Sequence, residues 1–206
     1  MREVSSVKAI KDVGLEGDRY ASGKGTFSRT KEAVVASLRG SPTPRHATFV
    51  GIEAIAEANQ TLTTPFTPEE TRRNILTEGI DPSSLVEQAF AIGEARFWGF
   101  EPCDPCNHPN KLSGKIGFKQ AFDKRGGLRA AIMADGFITI GDEIKPLIIH
   151  ALHSGQAICG FNHPLLPKDW PEGHLWMGIH DAKYVTCPNC KGTALAHLVR
   201  QRAQLS

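Results

Sequence analysis

The chain has 206 residues, 40% of them hydrophobic and 22% charged, with a formal net charge of +2 at neutral pH. That is the profile of a soluble globular protein with a buried core; its near-balanced charge argues against wholesale coating of nucleic acid, and no apolar run approaches a membrane span. Five cysteines, an odd number in a sequence without a signal-peptide core, point to a reducing compartment, so the expected location is the cytoplasm.

In chain order, residues 1–40 mix short β-prone pieces with glycine turns, Val13 to Tyr20 and then Gly23-Lys24-Gly25, and a loop with Ser41, Pro42, Thr43 and Pro44 follows. Ile52, Ile55, Ala56 and Asn59 stand at helical spacing, which predicts a helix from near Gly51. Pro65 and Pro68 end it and open an extended segment, Thr71 to Leu76. Short alternating runs come next at Phe90–Ile92, Ala95–Trp98, Ala131–Met133 and Phe137–Ile140, separated by turns with Gly93, Gly99, Gly136 and Gly141. Many short strands with turn glycines predict a mainly β domain, a barrel rather than an open α/β sheet. One further helix is expected between Lys111 and Phe122. After Ile144-Lys145-Pro146 the texture changes: residues 147–206 hold six of the eight histidines and three of the five cysteines. The reading is a barrel over 1–146 and a small appended module over 147–206. The module needs a metal, since a segment of about 60 residues buries only a marginal core.

Four segments of the first domain carry positive charge or special backbone: Gly17-Asp18-Arg19, Arg72-Arg73-Asn74, Cys103 to Cys106, and Lys124 to Arg129. Arginine forks grip phosphate and carboxylate oxygens, and glycines let backbone amides approach an anion. Each motif alone has a bland reading: an Arg-Arg pair is usually a solvated edge and Gly-Gly a turn. Asp18 and Asp142 each follow a glycine and are read as turn formers, and Arg19 is treated with them. The two thiols of Glu101-Pro102-Cys103-Asp104-Pro105-Cys106 sit in a loop beside arginines, a setting that favours the thiolate.

The order of Gly14-Leu15-Glu16-Gly17-Asp18-Arg19-Tyr20, Thr71-Arg72-Arg73-Asn74-Ile75-Leu76, Ala91-Ile92-Gly93-Glu94-Ala95, the Cys103–Cys106 loop, Arg125-Gly126-Gly127-Leu128-Arg129-Ala130 and Gly136 to Ile144 resembles the MOSC domain. That module is named for the C-terminal part of molybdenum-cofactor sulfurases. The resemblance covers about residues 1–146. It implies a MOSC-type β-barrel that binds a pterin-based molybdenum cofactor. Cys106, which follows Pro105 as the family's cysteine follows proline, would contact the metal or carry sulfur, with Cys103 as a resolving helper. Arg72, Arg73, Arg125 and Arg129 would neutralise the cofactor's phosphate, and Asn74 would bond a pterin edge or orient an arginine. The first strand usual in the family is expected to be short or degenerate. No desulfurase, iron–sulfur or flavin segment is recognisable, so sulfur or electrons have to come from another protein.

In the tail, His150, Cys159, Cys187 and Cys190 fall in an order that suits a zinc ribbon. Two thiolates two residues apart, as in Cys187-Pro188-Asn189-Cys190, make a good half-site. His150 is the preferred fourth ligand and His153 the next, ahead of His163, His174 and His180; the bland reading leaves Cys187 and Cys190 as surface thiols. A Cys₄ zinc site of Cys103, Cys106, Cys187 and Cys190 is a further arrangement. Two functions remain open: a molybdenum-cofactor protein acting as sulfur carrier or as a reductase of N-hydroxylated compounds, and a non-enzymatic zinc-ribbon interaction protein whose barrel has lost its cofactor. No aromatic-basic stacking motif supports RNA as a partner.

Overall fold

The structure is a computed structural model that describes residues 3–24, 46–153, 156–157, 174–178, 187–188 and 190. The chain divides into two compact units, Met1–Glu87 with Ile92–Glu143, and Gln88–Ala91 with Ile144–Ser206. In chain order the elements are β1 (Ser6–Ile10), β2 (Gly14–Leu15), β3 (Ala47–Gly51), α1 (Ile52–Asn59), β4 (Ile75–Thr77), β5 (Ala89–Ile92) and β6 (Ala95–Pro102). Then come α2 (His108–Ser113), α3 (Phe118–Ala121), β7 (Leu128–Ala134), β8 (Gly136–Thr139), β9 (Ile144–Pro146), β10 (Ile148–His153), β11 (Gln156–Ala157) and β12 (His174–Gly178). Short 3₁₀ turns cover Glu69–Thr71 and Pro82–Leu85. The described chain is mainly β with a few short helices, as the strand spacing predicts, and its principal sheet is a curled half-barrel.

In the first unit that sheet runs β4-β3-β7-β6. Strands β3 and β4 are parallel, with Phe49 opposite Ile75, and α1 makes the crossover between them. Strand β7 pairs antiparallel with both β3 and β6. A second sheet orders β2-β1-β8. Its β1, expected to be short or degenerate, has five residues and antiparallel partners on both sides: Val7 and Ala9 find Ile138 and Gly136 far along the chain.

The helices pack where their apolar positions allow. Ile55 and Ala58 of α1 join Val50, Phe66, Phe118, Ala121 and Phe122 in one buried cluster. Phe118 stacks on Phe122 at 4.2 Å and meets Phe66 edge-on at 5.1 Å. Burying one such ring stabilises by about 1.5–3 kcal/mol. The single helix expected between Lys111 and Phe122 is two: Gly114 and Gly117, at φ 75° and 92°, break the run into α2 and α3. Likewise the segment from Thr71 is not extended at its start. Thr71 closes a 3₁₀ turn, and Arg72 is left-handed at φ 63° before β4 begins.

In the second unit β5 lies beside β9, and Leu147 N–H donates to Ala89 C=O at 2.8 Å. Strand β10 runs antiparallel to β11 and parallel to β12. Among the described residues no helix is long and apolar enough to cross a membrane.

Candidate functional site

The first unit holds a cavity of about 280 Å³ that gathers three loops. The turn before β4 supplies Arg72, Arg73 and Asn74, and the loop after β6 supplies Cys103, Asp104, Pro105 and Cys106. The segment after β2 contributes Asp18, Arg19 and Tyr20, while His108 comes from α2, Arg129 from β7 and Thr48 from β3.

Local bonding explains how each side chain is placed. Asn74 is zipped to β3: its Oδ1 accepts from Thr48 N–H at 3.1 Å and from Thr48 Oγ1 at 2.8 Å, and its own N–H donates to Thr48 C=O at 3.0 Å. Arg73 is a structural clamp. Its Nε donates to Gly126 C=O at 2.8 Å, while its two terminal nitrogens donate to Thr71 and Cys103 carbonyls at 3.3 and 3.2 Å. Arg129 pairs with Glu101, its cross-strand neighbour, at 2.5 Å. Burial by itself would lower the pKa of Arg129, but Cys103 and Glu101 beside it outweigh burial and hold it above the usual arginine range.

Arg72 is different. Its Nε is buried and has no hydrogen-bond partner among the described residues. Burial first, and then the nearby Arg19, hold its pKa below the usual arginine range, with Asp18 opposing. His108 is also lowered, by burial first and then by Arg19, Arg72 and Lys111. The Arg19 guanidinium lies 5.7 Å from the Tyr20 ring centroid. Cys103 is 5% exposed and Cys106 half-buried, and both are free thiols.

Of the sequence candidates, Arg72, Arg73, Asn74, Arg129, Cys103 and Cys106 therefore share one cavity, and Arg125 does not. Its guanidinium donates to Ala121 C=O at 3.2 Å and lies 3.5 Å from the Glu57 carboxylate, because Gly126 and Gly127 turn the chain between Arg125 and β7. Asp18 and Asp142 do form turns, Asp18 accepting from Tyr20 N–H at 3.1 Å and Asp142 from Thr139 N–H at 2.8 Å. Arg19, Tyr20, Thr48 and His108 were not singled out as site residues. Gly17-Asp18-Arg19 carries a signal that turn formation explains better in the sequence alone, and His108 carries none.

The second unit contains another constellation. His150, Cys187 and Cys190 are buried, with one ligand atom of each within 4.8 Å of the others. Cys190 Sγ lies 3.9 Å from His150 Nδ1. A tetrahedral zinc with ordinary bond lengths sets its sulfur and nitrogen ligands about 3.6 Å apart, so these three atoms are close to the needed spacing. Cys187 N–H donates to Ile149 C=O at 2.9 Å, pinning Cys187 to β10. Cys159, His163 and His180 lie outside the described residues, and His153 and His174 are described by backbone alone. Cys187 and Cys190 lie with His150 in the second unit, and Cys103 and Cys106 line the cavity of the first.

Residues 45–145 match the MOSC domain family. Among solved structures the chain is similar to the YuaD protein from Bacillus subtilis, at 20% identity and a TM-score of 0.55, over 70% of this chain and 86% of that one. It is also similar to YiiM from Geobacillus stearothermophilus, at 16% identity and a TM-score of 0.45, over 50% of this chain and 54% of that one. For YiiM from Escherichia coli the values are 17% and 0.45, over 69% and 62%. No curated protein matches the sequence.

Proposed function

We propose, because this chain carries a MOSC domain over residues 45–145, that its cavity binds a pterin-based molybdenum cofactor and that Cys106 is the functional thiol. In this reading the protein is a sulfur carrier, or the catalytic part of a reductase of N-hydroxylated compounds, supplied with sulfur or electrons by another protein. The observation that carries the reading is the buried Arg72 Nε, without a hydrogen-bond partner among the described residues, in a cavity that also holds two free thiols. A buried donor left unpaired costs on the order of 1–3 kcal/mol, so an acceptor from a ligand is the natural complement. The residues fit the group: cationic side chains for a phosphate, Asn74 for a polar ring edge, and sulfur for a soft metal. When bound, the cofactor supplies redox chemistry and a soft metal centre that the side chains lack.

The chain's own residues then have distinct tasks. Cys106 offers sulfur from a loop that Pro105 keeps out of helix. Cys103, three residues away in sequence and beside Arg129, would resolve an oxidised or persulfidated Cys106. Arg73 holds the Cys103 and Gly126 carbonyls, and so fixes the floor on which both thiols stand.

Protein purified from a host that makes the pterin cofactor should contain molybdenum and pterin in equal amounts, and protein from a cofactor-deficient host neither. Cys106→Ser should keep its circular dichroism and lose metal retention or sulfur transfer by about tenfold or more. Cys106 should be alkylated quickly in the empty protein and protected in the loaded one. Zinc alone in both preparations, or full activity of Cys106→Ser with slow alkylation, rejects the reading in favour of an interaction protein without cofactor. The His150, Cys187 and Cys190 cluster supports zinc in the tail under either outcome.

A further inference from the structure

We propose that a second groove of the first unit, between the end of α1 and the α2–α3 segment, is the interface through which two copies of this chain pair about a two-fold axis. The proposal goes beyond the cofactor reading and does not depend on it. The groove has a volume of about 760 Å³, with Leu62, Asn107, Ile116, Gln120 and Ala121 among its lining residues. Ile116 is 79% exposed, and Leu112, four residues before it, is 55% exposed. Single exposed aliphatic residues need no explanation, but this one is held in place. Gly114 and Gly117, both at positive φ, flank it, and a Cβ at Gly117 would meet the Leu62 side chain. The Lys115 ammonium donates to Pro65 C=O and, at 2.6 Å, to Glu70 Oε2. Lys115 N–H donates to Ser113 Oγ at 3.2 Å and Phe118 N–H to Asn110 Oδ1 at 3.1 Å. A loop fixed in this way has already lost the freedom that binding would otherwise remove, which suits an apolar side chain to act as an interface anchor.

The charges on the two sides select the partner. From Pro105 to Phe122 the chain carries Lys111, Lys115 and Lys119 and no Asp or Glu. From Ile52 to Thr71 it carries Glu53, Glu57, Glu69 and Glu70 and no Lys or Arg. Two ion pairs join these elements within the chain, Glu70 with Lys115 at 2.6 Å and Glu57 with Arg125 at 3.5 Å. Glu53, Glu57 and Glu69 on the acidic elements and Lys111, Lys119 and Lys124 on the basic ones remain exposed. A partner of one charge sign meets repulsion from one side or the other. A second copy turned about a two-fold axis sets the acidic elements of each chain against the basic elements of the other, with Ile116 between them, so the surface is complementary to itself. Asn107, the residue after Cys106, also lines the groove, so the interface reaches the end of the thiol loop.

Sedimentation velocity of the full chain, from about 1 to 100 µM, should show a monomer–dimer equilibrium and nothing larger. Ile116→Glu should raise the dissociation constant about tenfold or more and leave circular dichroism and Tm unchanged, since the side chain it replaces is exposed. Phe137→Glu, at an exposed aromatic residue of β8, should leave the dimer intact. Lys111→Glu with Lys119→Glu makes both sides acidic, and Glu57→Lys with Glu69→Lys makes both basic. Each double variant alone should be monomeric, their equimolar mixture should dimerise, and adding Ile116→Glu to both should abolish the mixed dimer. A wild type that stays monomeric at every concentration overturns the pairing and leaves this face to a protein of different sequence. A dimer that ignores Ile116→Glu, or one that Phe137→Glu breaks, puts the interface elsewhere and overturns it as well. A mixture that remains monomeric defeats the self-complementary charge argument, and species that grow past the dimer with concentration mean head-to-tail association, which sinks the two-fold arrangement.

Discussion

At the residue scale the clearest determinant is who bonds to whom among like residues. Arg72 and Arg73 are neighbours in sequence with opposite roles: Arg73 bonds three carbonyls, while Arg72 keeps a buried donor without a partner among the described residues. Nothing in the pair Arg-Arg announces this, because the division follows from the left-handed backbone at Arg72. His46 makes the same point for protonation. Its Nδ1 accepts from Ile132 N–H at 3.0 Å, which requires that nitrogen to be unprotonated. Burial lowers its pKa, with Asp12 partly opposing. The folded state then binds fewer protons than the unfolded one, so the stability His46 contributes is present above about pH 6.5 and is lost as pH falls through the lower folded value. Urea midpoints of His46→Gln should accordingly vary less between pH 7 and pH 5 than those of the wild type. A wild-type slope in the variant would remove His46 from the account.

At the element scale, close backbone approach decides which strands can meet. Gly127 sits at φ 90°, and a Cβ there would collide with the Phe49 carbonyl. It lies at the point where β7 begins to pair with β3, Leu128 standing opposite Phe49. Gly127→Ala combines a left-handed alanine with a backbone clash, so a loss of about 2–5 kcal/mol is expected in denaturant unfolding. A loss under about 1 kcal/mol would mean the two strands move apart freely. The same junction carries the site, since Cys103 N–H donates to Gly127 C=O at 2.8 Å. Strand existence was readable from alternation and turn glycines, as at Phe137–Ile140. The split into α2 and α3 was missed because Gly114 and Gly117 interrupt a run whose apolar residues still fit one helix.

At the scale of the whole molecule, the two units draw on different sources of order. The first has a buried aromatic cluster built on Phe66, Phe118 and Phe122. For the second we expect one zinc at His150, Cys187 and Cys190, with Cys159 as the fourth ligand suggested by sequence. Structural zinc contributes roughly 10 kcal/mol or more to folding in isolated peptides. Chelation should therefore collapse the amide signals of residues 147–195 and leave those of β3, β6 and β7 in place. A tail free of metal whose spectra ignore the chelator would refute the zinc assignment.

By itself the sequence determined the mainly β character, the change of texture near residue 146 and the segments that carry chemistry. Those are properties of local pattern: alternation, turn residues and the spacing of thiols and imidazoles. Only the tertiary structure decided which cationic groups share the cavity. It turned Arg125 toward Glu57, brought Arg19 and His108 to Arg72, and set His150 beside Cys187 and Cys190. The physical reason is that a side chain's partners depend on the backbone conformation of its own residue and on strands distant in sequence, neither of which a linear motif encodes.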